Sequence, residues 1–139
     1  MSKEKTLEEW IKFYNSKCPE PFERDESGRL YYRSDKGFCE IDVQPQILTI
    51  FQGAGDIKFW RQAAEFLCKS LRVKTYGAYI CRHVKPFIRV SGFRIYETEE
   101  TPDGERYYFQ DAKTGQKGQA QPAWIKDNGN IIYFATAEV

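Results

Sequence analysis

The chain has 139 residues, with 21 Lys plus Arg against 20 Asp plus Glu, one His, and an aromatic fraction of 16%. That length suits one domain, and 41% hydrophobic with 29% charged residues excludes an unfolded chain. No apolar run approaches the roughly 20 residues that cross a bilayer, and the first ten residues lack the apolar stretch of a signal peptide, so a soluble cytoplasmic protein is expected.

The first element signal is the capping box Thr6-Leu7-Glu8-Glu9, in which a hydroxyl and a carboxylate each satisfy the other residue's backbone N–H. Leu7, Trp10, Ile11 and Tyr14 follow at helical spacing, so a helix is expected over 6–16, ended by Pro19 and Pro21. Leu30 to Arg33 reads as a short aromatic strand. Cys39, Ile41 and Val43 alternate with Glu40, Asp42 and Gln44, which predicts a strand with one wet face. Ile47 to Phe51 is apolar on both faces, the pattern of a central strand.

Gln52-Gly53-Ala54-Gly55 reads as a turn into a helix with Asp56 as N-cap. Phe59, Ala63, Phe66, Leu67 and Leu71 are expected on its buried stripe, widened by Trp60. Thr75 to Ile80 is a further strand, parallel to the central one if both share a sheet. A short helix is expected over 82–91, with Pro86 in its first turn. Two hairpins follow, one about Thr101 to Gly104 and one about Asp127-Asn128-Gly129-Asn130, where Asn-Gly favours a type I′ turn.

Cys18, Cys39, Cys68 and Cys81 form no CxxC pair, and one His cannot complete a Cys/His zinc set, so no metal is expected. Cys39 and Cys68 read as small buried hydrophobes, in preference to catalytic or disulfide-bonded cysteines.

Charge is unevenly spread. Residues 57–94 carry nine basic residues against the single acid Glu65, whereas 95–112 carry six acids against Arg106. Such a basic block suits either a polyanion or the solvated faces of two helices. Nucleic acid is not the expected partner, because no RNA-binding signature accompanies the block. The rings of Tyr31-Tyr32 and Tyr107-Tyr108-Phe109 are read mainly as core.

In element order, residues 6–112 resemble the GNAT-type N-acyltransferases. The resemblance implies an α+β or α/β domain with a mixed, mainly antiparallel sheet and helices on both faces. A GNAT-like core over 6–117 would carry a C-terminal β-hairpin at 118–139. It further implies that Gln52, Gly53, Ala54 and Gly55, with the backbone of Ile57 and Lys58, hold the pyrophosphate of acetyl-CoA or another acyl-CoA. A glycine turn feeding a helix start offers unpaired donors to an anion. Lys58 and Arg61 would meet its phosphates.

The segment from Arg82 to Phe93, ending in Gly92-Phe93, is similar to the family's penultimate helix. The chain departs from the family at Asp56, an acid where phosphates would sit. It departs also at Phe87, which replaces the Tyr that protonates the leaving thiolate in many members.

Transfer to an amine needs a base. His83 is the side chain with an ordinary pKa near neutrality, while Glu40 and Asp42 are carboxylates expected beside the central strand. Two functions follow: an acyl-CoA-dependent N-acyltransferase acting on an amine, or a non-catalytic GNAT-like accessory protein, of phage type, that works through a protein partner.

Overall fold

The structure is a computed structural model that describes residues 4–18, 21–81, 83–127 and 129–139. Helix α1 (Leu7–Lys17) begins with the expected capping box: Glu9 N–H donates to Thr6 Oγ1 at 3.1 Å and Thr6 N–H to Glu9 Oε1 at 3.0 Å. Its buried face is Trp10 and Tyr14. The Trp10 indole N–H donates to the Ser34 carbonyl at 2.9 Å, pinning the helix to the turn between the first two strands. Pro19, the expected helix stop, lies outside the described residues, as do Arg82 and Asn128.

Among the described residues one sheet of eight strands follows. Its strands are β1 (Arg29–Arg33), β2 (Gly37–Val43), β3 (Leu48–Gly55), β4 (Thr75–Ile80), β5 (Arg94–Thr101), β6 (Gly104–Gln110), β7 (Lys117–Ile125) and β8 (Ile131–Glu138). Helix α2 (Ile57–Leu71) connects β3 to β4, and helix α3 (Val84–Val90) precedes β5. The spatial order is β1-β2-β3-β4-β8-β7-β6-β5, and β3 with β4 is the parallel pair in an otherwise antiparallel sheet. The fold is therefore α+β with a mixed sheet.

Strand alternation sends neighbouring residues to opposite layers. Phe38 packs with Trp10 and Tyr14 under α1, whereas Cys39 and Ile41 pack with Trp60, Ala64 and Cys68 of α2. Helices thus cover both faces. Phe38 and Leu48 are fully enclosed, and each such side chain contributes about 1.5–3 kcal/mol through burial.

Three sequence expectations change. In α2 the buried row is Trp60, Ala64 and Cys68, while Phe66 is 70% and Leu71 55% exposed. The helix lies on the sheet along a row spaced by four residues, and the Phe66 and Leu71 side of the expected stripe turns to solvent. Glu40 is not on a wet face but fully buried, under the segment that leads into β1. Cys18 and Cys81, to which the sequence assigned no role, form a disulfide, with Cα atoms 6.1 Å apart, while Cys39 and Cys68 are free and buried as expected. Residues 52–55 are not a turn.

Those last residues continue β3, with Gly53 opposite Cys39 and Gly55 opposite Gly37. Gly55 has φ 111° and Gly37 φ 104°, and a Cβ on either would run into the facing backbone. The two glycines are required by this close approach of strand ends.

The hairpin strands β7 and β8 lie inside the sheet. Thr75 to Ile80 of β4 pair with Glu138 to Tyr133 of β8, and β7 then pairs with β6.

Candidate functional site

The parallel pairing of β3 and β4 covers Leu48 with Tyr76, Thr49 with Gly77 and Ile50 with Ala78, and then stops. Just past this point β3 carries an extra residue: Gln52 stands opposite Glu40 and Ile50 opposite Ile41, so Phe51 is a β-bulge. A bulge bends its strand and increases local twist. Strand β3 runs on to Gly55 and β4 to Ile80 without pairing each other, and the sheet opens between them.

The gap is a cavity of about 680 Å³ that reaches both layers, from Tyr14 of α1 to Trp60 and Arg61 of α2. Along it, the β4-facing backbone edge of residues 51–55 has no strand partner among the described residues. An extended, amide-bearing ligand arm would find the hydrogen-bonding edges that a missing strand leaves.

Gln52, Gly53, Ala54, Gly55, Ile57 and Arg61 line this cavity. Gln52 is tied on its far side: its amide donates to Glu40 Oε1 at 3.0 Å and to the Glu23 carbonyl, and accepts from Glu23 N–H at 3.2 Å. Glu40 in turn receives Arg24, the Asp25 N–H at 2.9 Å and Gln52, so its burial is fully compensated. Glu40 is therefore one hydrogen bond removed from the cavity. Asp42 and His83 stand apart: Asp42 accepts from Gln44 at 3.2 Å, and His83 is an exposed residue at the start of α3.

At the start of α2 the anion position holds a carboxylate of the protein itself. Asp56 Oδ1 accepts the Phe59 N–H at 3.0 Å and its Oδ2 pairs with Lys36 Nζ at 3.3 Å. The Phe59 N–H foremost, with Lys36, holds this carboxyl below the usual range. Lys58 is exposed beside that start.

Arg61 is the hub of a second network. It donates to the Ser91 carbonyl at 2.8 Å, to Asp111 at 2.8 Å, to Gln116 at 2.7 Å and to the Tyr76 hydroxyl at 3.2 Å, with its guanidinium over the Phe93 ring. Burial opposes its charge, but Tyr76, Asp111 and Glu65 outweigh burial and raise its pKa. Tyr76, buried and donating to Glu65 at 2.7 Å, is pushed up above the usual phenol range.

The sequence reading missed the aromatic residues of the opening. Phe51, Tyr79 and Trp124 line it, on the layer that carries α1. Phe51 reads from the sequence only as strand interior, and the end of the β3–β4 pairing that leaves its ring at an opening has no residue signature. Among the described residues no group of three or more His, Cys, Asp or Glu side chains could hold a metal, and no helix is long and apolar enough to cross a membrane.

No protein-family model matches the sequence, and no curated protein is similar to it by sequence. A solved structure similar to this chain is the ribosomal-protein-S18-alanine N-acetyltransferase from Escherichia coli, with 14% identity over 94% of this chain and 85% of that one, at a TM-score of 0.44.

Proposed function

We propose that the chain is an acyl-CoA-dependent N-acyltransferase-like protein whose cleft between β3 and β4 receives the acyl-thioester arm from one layer and an amine from the other. The observation that carries this reading is the opening of the sheet after Ile50 and Ala78, with an unpaired strand edge along a cavity that reaches both faces. Such a gap lets two ligands meet end to end, which is the geometry that transfer between them needs.

In this reading residues 52–55 and the backbone of Ile57 and Lys58 flank the arm and its phosphates, with Lys36 and Lys58 offsetting Asp56. Acyl-CoA would supply the activated carbonyl. The candidate base with a hydrogen-bonded link to the cavity is Glu40, through Gln52. Asp42 and His83 remain candidates only if a bound amine extends past the lined cavity.

The second reading, a non-catalytic accessory protein, is favoured by Asp56 and Arg61. One places a negative charge at the phosphate position, and the other spends its donors on the protein's own groups.

Thermal shift and calorimetry with acetyl-CoA decide between them. Binding raises the melting temperature by mass action, and replacing Gly53 by a bulky residue removes the shift. No stabilisation at millimolar acetyl-CoA sinks the transferase reading for that acyl group.

A further inference from the structure

Three separate backbone features gather aromatic rings at the α1-side mouth of the cleft. Phe51 follows Thr49, the partner of Gly77, in the parallel register, so its ring falls on the face of Tyr79 and lies parallel to it, with centroids 6.3 Å apart and planes 9° apart. The second feature is a bulge in β7, where Pro122 faces Tyr133 but Trp124 faces Ile132, leaving Ala123 as the extra residue. Simple alternation would put Trp124 on the same face as Pro122. The bulge moves it to the opposite face, where its ring lies 5.2 Å from Tyr79.

The third feature is Gly77. Phe134 packs 4.7 Å from Tyr79, and a Cβ on Gly77 would come within 2.6 Å of the Phe134 ring. The glycine lets that ring lie down on β4. Rings from four adjacent strands thus form one platform around Tyr79, and Trp124 stays 48% exposed at its rim.

We propose that this platform is a binding site for the planar aromatic body of a small monoamine. Stacked and tilted rings recognise another ring by its π-face, and the electron-rich faces of Tyr79 and Trp124 attract an ammonium. Naming the ligand as the acceptor of a transfer rests on the acyltransferase reading; the ring site itself does not.

The test uses the full chain and 2-phenylethylamine, titrated by calorimetry with and without 1 mM acetyl-CoA (about the upper end of enzyme substrate affinities). Its ring-saturated counterpart, 2-cyclohexylethylamine, and the polyamine spermidine serve as comparisons. The aromatic amine is expected to bind about tenfold more tightly than either, with quenching of tryptophan fluorescence. Trp124→Ala, at an exposed position, is expected to weaken binding about tenfold, and Trp124→Phe to restore most of it.

Equal binding of the saturated amine, no effect of Trp124→Ala in a folded variant, or no binding under either condition would overturn the site. Aromatic binding without any acetyl-CoA stabilisation keeps the ring site and removes the transferase reading. The reverse result removes the ring site alone.

Discussion

Arg61 of α2 donates to Asp111, just after β6, at 2.8 Å, and the two side chains are only 11% and 12% exposed. This contact joins the basic block at 57–94 to the acidic block at 95–112. Part of the charge asymmetry is thus neutralised inside the molecule, and Arg61 serves to hold α2, α3 and the loop after β6 together. Asp111 also accepts the Lys113 N–H at 2.8 Å and anchors that loop.

Removing Arg61 leaves the enclosed Asp111 carboxylate without its counter-ion, and removing Asp111 leaves Arg61 with only the longer 3.4 Å pair to Glu65. Arg61→Ala or Asp111→Asn is expected to lower unfolding free energy by about 3 kcal/mol in chemical denaturation. Arg61→Lys should recover little, because an ammonium cannot reach Ser91, Asp111 and Gln116 together. A lysine variant of near wild-type stability would show that the fork geometry is unimportant.

Acid should unfold the chain partly through the same residue. Burial works to raise the Asp111 pKa, but the Lys113 N–H, Arg61 and the Thr114 N–H outweigh it and hold the carboxyl below its ordinary value. A depressed carboxyl contributes stability that is complete above its unfolded pKa of about 3.9 and is lost as pH falls through the lower native value. Denaturation midpoints measured from pH 6 downward should therefore drop below about pH 4. The drop should be shallower in Asp111→Asn, and identical slopes would remove Asp111 from the acid response.

Local chemistry was the legible part of this fold. The Thr6 capping box, the Asp56 cap and the two-residue turn at Pro102-Asp103 act within a few residues, and each formed where the sequence placed it. The parallel step from β3 to β4 was legible because a helix of fitting length separates two apolar strands.

Long-range matters were not legible. The placing of β8 beside β4 is a pairing of segments more than fifty residues apart. The burial of Glu40 depends on Arg24 and Gln52 arriving from other elements. At the site, the Gly53 to Gly55 signal was visible but had two physical causes, a phosphate turn or close strand approach, and composition cannot separate them.

Asp56 combines a structural role with an electrostatic obstacle. Asp56→Ala should cost about 1 kcal/mol through loss of the N-cap. Asp56→Ser keeps a cap and removes the charge, so it should tighten acetyl-CoA binding about fivefold, the effect of one unit charge at ~4 Å in water. Unchanged or weaker calorimetric affinity in the serine variant would place the phosphates elsewhere.

The Cys18–Cys81 bridge spans 63 residues of chain and ties the end of α1 to the end of β4. Closing a loop of that size restricts the unfolded chain and stabilises by about 2–4 kcal/mol. Oxidised protein should melt at higher temperature than protein held in reductant, and the difference should vanish in Cys18→Ser. Cys39 and Cys68 should not react in the folded state: both are buried, and burial pushes the Cys68 thiol up to about 11. Labelling of four thiols in folded, reductant-treated protein would contradict this division.

Gly77 gives the most direct check on the ring platform. It lies in β4, two residues before Tyr79, and its missing side chain is the space that the Phe134 ring occupies. Gly77→Ala should lift that ring off β4 and weaken 2-phenylethylamine binding several-fold, since stacked rings contribute about 0.5–1.5 kcal/mol each. Displacement also costs stability, by about 1–3 kcal/mol for an overpacked position.

Stability alone does not discriminate, because any crowded glycine would show it. The discriminating measurement is acetyl-CoA binding in the same variant. Gly77 and Phe134 lie on the α1-side layer, whereas the helix start at Ile57 and Lys58 belongs to the opposite one, so thermal stabilisation by acetyl-CoA should survive while amine binding falls. Equal losses for both ligands would mean that the substitution collapses the cleft as a whole, and unaltered amine binding would mean that Phe134 takes no part in holding the ring.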